Sequence, residues 1–167
     1  LNTKLFKNHL LSFAILSIVA FAFYLCFVGG YGADEDTLPM IHVFEAKLYN
    51  GRFVTSRFTG YPVPEIGIGF LSYYIGSWAA SSITFIFLVL GLILIFISLS
   101  NQQDYKNINI FLLLCLSNPI IFFDNLEPID YSWALFFFSL GLYCLKKNFL
   151  ELSIIFFGIC IGSRLNF

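Results

Sequence analysis

The stretch LLSFAILSIVAFAFYLCFV, Leu10–Val28, runs for 19 residues without a charged side chain and decides the solvent in which this chain folds. An α-helix needs about 20 apolar residues to cross the roughly 30 Å hydrocarbon core of a bilayer. Lys4 and Lys7 precede the stretch, as basic residues precede the cytoplasmic end of a membrane helix. A cleaved signal peptide is the alternative, but the apolar run is long for that role and no A-x-A site follows it.

The composition of the whole chain supports the same conclusion. Hydrophobic residues make up 59%, 22 residues are Phe, and the mean hydropathy is +0.84, so we expect an all-α integral membrane protein. A formal net charge of -1 leaves no basic surface for nucleic acid. Cysteines lie within apolar runs at irregular spacings, which predicts buried thiols and neither disulfides nor a metal site. These are Cys26, Cys115, Cys144 and Cys160.

Further apolar runs predict a multispan helical bundle that forms a single transmembrane domain over residues 1–167. The expected spans cover residues 10–28, 81–99, 108–123, 129–145 and 150–167, with an outer loop at 29–80. Pro119 is expected near the outer end of the third span, where a broken backbone ladder is easiest to satisfy. The chain begins without methionine and stops inside an apolar run, so we expect the N-terminal part of a longer protein.

Residues 66–78 are apolar but cover only about half to two thirds of a spanning length. If they do not cross, most lysines lie on one side of the membrane and most acidic residues on the other, as the positive-inside rule requires. We therefore predict an interfacial or re-entrant helix here, with Tyr73, Tyr74 and Trp78 at headgroup level. The N-terminus is then cytoplasmic, in a plasma or inner membrane.

The outer loop concentrates charge, because eight of the nineteen charged side chains lie between residues 29 and 65. Apolar residues recur at helical spacing at Leu38, Ile41, Phe44 and Leu48, which predicts an amphipathic helix lying on the membrane. Just before it stands the triplet at 34–36, whose carboxylates can act as general base toward an acceptor hydroxyl or share a divalent cation. A solvated acidic loop is the alternative, with Asp36 as the N-cap of the helix.

Other polar residues of this loop also have two interpretations. His42 and Glu45 fall three apart on one helix face, as metal ligands can, although an exposed polar pair is the plainer interpretation. Arg52 and Arg57 can bind a phosphate through charge-assisted hydrogen bonds, or they can contact lipid headgroups.

Arg164 differs from the other basic residues, because it follows an apolar run with no acidic residue nearby in sequence. An ionisable group within a membrane span usually faces the protein interior and marks a function. We expect Arg164 near the outer end of the fifth span. The second outer connection, with Asp124, Glu127 and Asp130, reaches the same side, so the two acidic loops predict one shared polar site at the membrane surface; ordinary loop hydration is the alternative.

The order of these features resembles the N-terminal half of the GT-C superfamily of membrane glycosyltransferases, which includes protein O-mannosyltransferases and aminoarabinose transferases of lipid A. The similar stretches are ADED after the first span, NGRFVTSRFTGYPVPE, LSNPIIFFDNLEPIDYSWALFFFSLGLYCLKKN and FGICIGSRLNF. The resemblance implies transfer of a sugar from a polyprenyl-phosphate donor to a lipid, glycan or protein acceptor at the outer membrane surface.

The resemblance also implies roles for individual residues. An acidic residue of the first outer loop is the general base in the family, and Asp34 is the preferred match, with Asp36 as the other. Asp130 matches an acidic position that orients the sugar or the acceptor. Tyr61 stands in the turn GYPVPE, where some relatives carry a Lys. The remaining implied contacts to substrate are Glu35, Arg52, Arg57 and Arg164, and any divalent cation falls to Asp34 and Asp36.

Two other functions fit the residues. A transporter or channel subunit predicts ionisable or unwound positions near the middle of several spans, with binding at the midplane. A lipid-linked polysaccharide polymerase shares the predicted topology and differs in its acceptor.

Overall fold

The computed structural model describes residues 3–32, 37–51, 55, 61–100 and 107–164, and these residues form eight α-helices and no strand. The predicted all-helical class is confirmed. Two segments, Leu10–Val28 of the first helix and the whole fourth helix, are long and apolar enough to cross a membrane. The helices are α1 Thr3–Val28, α2 Thr37–Asn50, α3 Pro62–Tyr74, α4 Ser77–Leu99, α5 Ile108–Leu116, α6 Pro119–Asp124, α7 Tyr131–Lys146 and α8 Leu150–Ser163.

Helices α4 and α7 lie side by side and run in the same direction. Near their starts, the indole N–H of Trp133 donates to the hydroxyl of Thr84 over 3.2 Å. Near their ends, the Lys146 Nζ donates to the carbonyl of Ile97 over 2.6 Å. Between these contacts Gly91 of α4 faces the backbone of α7, so the absence of a side chain lets the two helices approach closely.

Helix α8 returns antiparallel to α7. The Ser153 hydroxyl, near the start of α8, donates to the Gly141 carbonyl near the end of α7 over 2.9 Å. Arg164, directly after α8, reaches Asp130, directly before α7. The start of α7 and the end of α8 therefore meet at one end of the bundle, which we call the Asp130 end; the other is the Lys146 end.

Helix α1 runs antiparallel to α4 and finishes at the Asp130 end. The Ser81 hydroxyl, in the first turns of α4, donates to the Gly30 carbonyl just after α1 over 3.5 Å. Helix α5 begins beside the end of α4, where the rings of Phe96 and Phe111 lie 5.1 Å apart. The chain thus alternates between the two ends from α4 onward.

The structure divides the predicted third span into two helices. Helix α5 ends at Leu116, and α6 begins at Pro119. The Asn118 side chain caps α6 by accepting from the backbone N–H groups of Ile120 and Ile121 at 3.0 and 3.5 Å. Proline is well suited to a first helical position because it has no N–H to satisfy there, so it starts a helix where we expected it near the end of one.

Helix α2 forms where a helix was predicted, and one side of it is buried within the protein. Met40, Ile41 and Val43 are buried, while Leu38 and Leu48 are 54% and 48% exposed. The buried face packs against α3, which covers the side of α2 centred on residues 40–44. Leu38 and Leu48 of the predicted apolar face stay exposed, and the placement of this helix on a membrane stays a prediction.

Helix α3 occupies most of the segment predicted as a short helix, but it begins earlier and ends at Tyr74. Gly76 follows with φ +114, a conformation that side-chain-bearing residues rarely adopt, and α4 begins at Ser77. Trp78 therefore belongs to the first turn of α4 and not to the short helix.

Candidate functional site

A buried ion pair joins α7 and α8 at the Asp130 end. The Asp130 side chain is completely buried, and both its carboxylate oxygens accept from Nη1 of Arg164 at 3.2 and 3.1 Å. The Arg164 side chain is 16% exposed, and its guanidinium lies 3.6 Å from the centroid of the Tyr131 ring. Arg164 has no acidic neighbour in the sequence, and its charge is thus neutralised by Asp130, 34 positions earlier.

This pair fixes the orientation of the guanidinium. A carboxylate removed from water is stable only when it is paired and hydrogen-bonded, and Arg164 supplies both to Asp130. The ring of Tyr131 supports one face of the guanidinium plane, a contact worth about 0.5–2 kcal/mol. Because Asp130 engages Nη1, the N–H groups on Nη2 and Nε lie outside this contact.

The connection between α6 and α7 is held in a fixed conformation. The Asn125 side-chain amide donates to the Ile121 carbonyl over 2.7 Å, and its oxygen accepts from the buried hydroxyl of Ser132. The Ile129 N–H donates to the carbonyl of Glu127 over 2.9 Å. Asn125 and Ser132 were not among the site residues predicted from the sequence, although Asn125, a turn-forming residue in FFDNLEP, was the available signal.

This connection borders two cavities. The first, here called the acidic cavity, has a volume of about 550 Å³. The second, here called the apolar cavity, has a volume of about 540 Å³ and lies against the end of α1. Phe123 and Glu127 line both. The acidic cavity also includes Asp124, Asn125, Ile129 and Tyr131; the apolar cavity also includes Leu25, Val28, Gly29, Gly30, Gly32 and Leu126.

Gly32 and Glu127 bring the first and second connections together. Gly32 has φ +79, and a Cβ placed on it would overlap the carboxyl group of Glu127. Only glycine satisfies both the backbone conformation and this close approach. The first connection therefore starts directly beside a carboxylate of the second, although the sequence separates them by the whole of α2 to α6.

The start of α3 contributes a further buried carboxyl group at this end. Glu65 is completely buried in the first turn of α3, and its N–H donates to the carbonyl of Tyr61, itself 7% exposed, over 3.0 Å. Gly67 lies against the ring of Trp133 and Gly162 lies near Val63, so α3 docks on the start of α7 and the end of α8. Glu65 was not among the site residues predicted from the sequence. Its signal was a single carboxylate in an otherwise apolar helix.

Five residues predicted for the site fall in parts of the chain that the structure does not describe. Asp34, Glu35, Asp36, Arg52 and Arg57 lie outside the described residues, so their predicted roles stay predictions.

His42 and Glu45 contact each other through Nδ1 and Oε2 at 3.0 Å, with side chains 69% and 39% exposed. Within the described ranges no three His, Cys, Asp or Glu side chains cluster as metal ligands would. The four cysteines are free thiols, and three of them are buried.

Glu127, Asp130 and Arg164, three of the residues expected at the outer end of the bundle, do lie at one end of it. Asp130 is fully buried in an ion pair, however, whereas Asp124 is exposed on the rim of the acidic cavity.

No family model, curated protein or solved structure matches this chain. The resemblance to GT-C transferases stays a prediction.

Proposed function

We propose that this chain is part of a multi-pass membrane glycosyltransferase, which moves a sugar from a polyprenyl-phosphate donor to an acceptor at the non-cytoplasmic surface. The observation that carries the proposal is the buried pair of Asp130 and Arg164. It holds a guanidinium at the same end of the bundle where Gly32 and Glu127 join the two acidic connections. A cation and several carboxylates at one membrane surface are what transfer from a lipid phosphate requires.

Several features support the placement in a membrane. Two helices are long and apolar enough to span it, α7 runs beside one of them, α4, and α8 runs beside α7. Lys146 and Lys147 lie at the opposite end from Asp130, which favours a cytoplasmic Lys146 end by the positive-inside rule. Exposed aromatic side chains at the end of α3 and start of α4 suit the headgroup layer, where amphipathic rings concentrate. These are Tyr73, Tyr74 and Trp78.

The chemistry follows from two opposite requirements. The oxygen of the acceptor hydroxyl forms a bond to the anomeric carbon of the donor sugar, and the hydroxyl proton must pass to a base at the same time. Asp34 is our candidate for this base. The bond from that carbon to the phosphate oxygen breaks, and the departing polyprenyl phosphate carries the electron pair. The N–H groups of Arg164 that lie outside the Asp130 contact are suited to bind this anion, since guanidinium groups match phosphate oxygens bidentately.

Transfer assays on membranes containing the full protein test this proposal, with a radiolabelled polyprenyl-phosphate sugar as donor. We expect Asp34→Asn to abolish transfer and Arg164→Gln to lower kcat at least about 100-fold, the size seen when a donor to a developing charge is lost. Arg164→Lys should restore only part of the activity, because a lysine lacks the planar fork.

Glu151→Gln is the matched control, since Glu151 is an exposed carboxylate in the first turn of α8, at the Lys146 end. Activities are compared per inserted molecule, because Arg164→Gln also breaks the buried pair with Asp130. Full activity of Asp34→Asn, or an Arg164→Gln variant no weaker than the Glu151→Gln control, would contradict the assignment.

A further inference from the structure

The two cavities at the Asp130 end differ in chemistry yet share a wall. Phe123 and Glu127 line both of them, so a molecule that passes over this wall contacts both spaces. The acidic cavity has a volume of about 550 Å³ and the apolar cavity about 540 Å³, both within the usual range of small-molecule sites. A ligand that fills both must have two chemically different parts.

The acidic cavity disfavours an anionic headgroup. Asp124 and Glu127 are the acidic residues of its lining, Glu127 at the wall shared with the apolar cavity, and Tyr131 forms another part of the lining. Like charges repel, so a phosphate is unfavourable here, whereas hydroxyl and amine groups can donate hydrogen bonds to carboxylates. An aromatic ring beside carboxylates also suits the apolar face and the hydroxyl edge of a sugar.

The apolar cavity suits a hydrocarbon chain. Leu25, Val28 and Leu126 give it aliphatic side chains, Gly29 and Gly30 add bare backbone, and the Glu127 carboxyl group lies against Gly32 at the wall shared with the acidic cavity. Val28 is 60% exposed and ends a helix apolar enough to lie in lipid, so the cavity lies at the end of a lipid-compatible helix. Burying each CH₂ group of a chain in such a place is favourable by about 0.8 kcal/mol.

We propose that these cavities together bind one amphiphilic lipid. Its hydrocarbon chain lies in the apolar cavity, and its headgroup, which is rich in hydroxyl groups or carries an amine and bears no negative charge, lies in the acidic cavity. Resting on the proposed function, this lipid is the acceptor, and it is chemically distinct from the donor phosphate that Arg164 binds.

Tyr131 connects the two proposed binding places. Tyr131 lines the acidic cavity, and the Arg164 guanidinium lies over its ring, 3.6 Å from the ring centroid. An acceptor headgroup in the acidic cavity is therefore one side chain away from the proposed phosphate position. The separation by charge, carboxylates on one side and a guanidinium on the other, would keep donor and acceptor from exchanging places.

Photo-crosslinking in lipid nanodiscs tests the proposal with the full protein. The probes are monoglucosyl diacylglycerol and phosphatidylglycerol with the same photoactivatable acyl chain, each diluted into phosphatidylcholine. We expect the glucolipid to label peptides from both cavities, near residues 25–32 and 120–131, about tenfold more than phosphatidylglycerol does.

Two variants separate the headgroup from the chain. Glu127→Gln should weaken the glucolipid labelling about tenfold, as expected for loss of a charge-assisted hydrogen bond, with little effect on phosphatidylglycerol. Val28→Trp, at an exposed helix end where folding should tolerate it, should block the labelling of residues 25–32 by both probes. Glu151→Gln serves again as the control and should change neither.

Equal labelling by the two probes, or labelling that both variants leave unchanged, would overturn the proposal. The outcome is independent of sugar transfer, because crosslinking needs no reaction. Glucolipid labelling with no transfer activity would refute the proposed function alone. Transfer to a soluble peptide or glycan, without labelling of the cavities, would refute the lipid acceptor alone.

Discussion

Replacing Asp130 by Asn should destabilise the protein strongly, because it breaks a buried ion pair. The substitution keeps the size of the side chain but removes the charge that Arg164 faces at 3.1 Å inside the protein. Arg164 then loses the counter-charge that the described part of the chain gives it, and its burial is no longer compensated there.

The magnitude follows from the burial of the two partners. Breaking a fully buried ion pair by removing one partner costs about 3–5 kcal/mol. Asp130 is 0% exposed, but the Arg164 side chain is 16% exposed, so partial hydration of the guanidinium places the cost near the lower limit, at about 3 kcal/mol. For a chain of this size 1 kcal/mol corresponds to about 2–4 °C in Tm, so we expect a decrease of about 6–12 °C.

Thermal unfolding of the purified protein in detergent micelles, followed by tryptophan fluorescence, measures this shift. Asp124→Asn is the matched control, since Asp124 is an exposed carboxylate on the same connection and should change Tm by less than about 1 °C. A double-mutant cycle with Arg164→Gln should give a coupling energy of about 1–3 kcal/mol.

The reasoning fails if Asp130→Asn lowers Tm no more than Asp124→Asn does. It also fails if the effects of Asp130→Asn and Arg164→Gln add without coupling. Either result would mean that the ion pair does not hold the start of α7 to the end of α8.

Two further predictions concern packing and topology. Gly67→Leu should lower Tm by several degrees because the new side chain would overlap the ring of Trp133. Gly158→Leu is the control and should be nearly neutral, because nothing lies within 4 Å of a Cβ there. Equal effects in a thermal unfolding assay would show that α3 does not pack on α7 as described. The topology can be measured in intact cells with single cysteines introduced into a variant without native cysteines. A cysteine at position 127 should react with an impermeant thiol reagent, and one at position 147 should not. The reverse labelling would overturn the proposed orientation.

The sequence predicts the helices of this protein better than their contacts. Leu10–Val28, α4, α7 and α8 form close to their predicted places, because continuous apolar runs of this length are a local property of the chain. The exceptions also have local causes. Pro119 with the Asn118 cap starts a new helix, and Gly76 with its positive φ separates α3 from α4.

The candidate site could be predicted only in part. The acidic connections and Arg164 stand out because charged residues are rare in this chain. Which of them are buried was not predictable, since Asp124 is exposed and Asp130, six residues later, is completely buried. Glu65 was missed as a site residue for the same reason: burial depends on what packs around a residue, and for Glu65 this includes the distant helices α7 and α8.

By itself, then, the sequence determined that the chain is helical and apolar, and where its charges are concentrated. The tertiary structure alone decided that Asp130 pairs with Arg164 and that Glu127 lies against Gly32. The physical reason is that helix formation depends on neighbours within a few residues, whereas these contacts depend on the register in which helices pack. A change of one turn between α7 and α8 would move Arg164 by about 5 Å and break the pair.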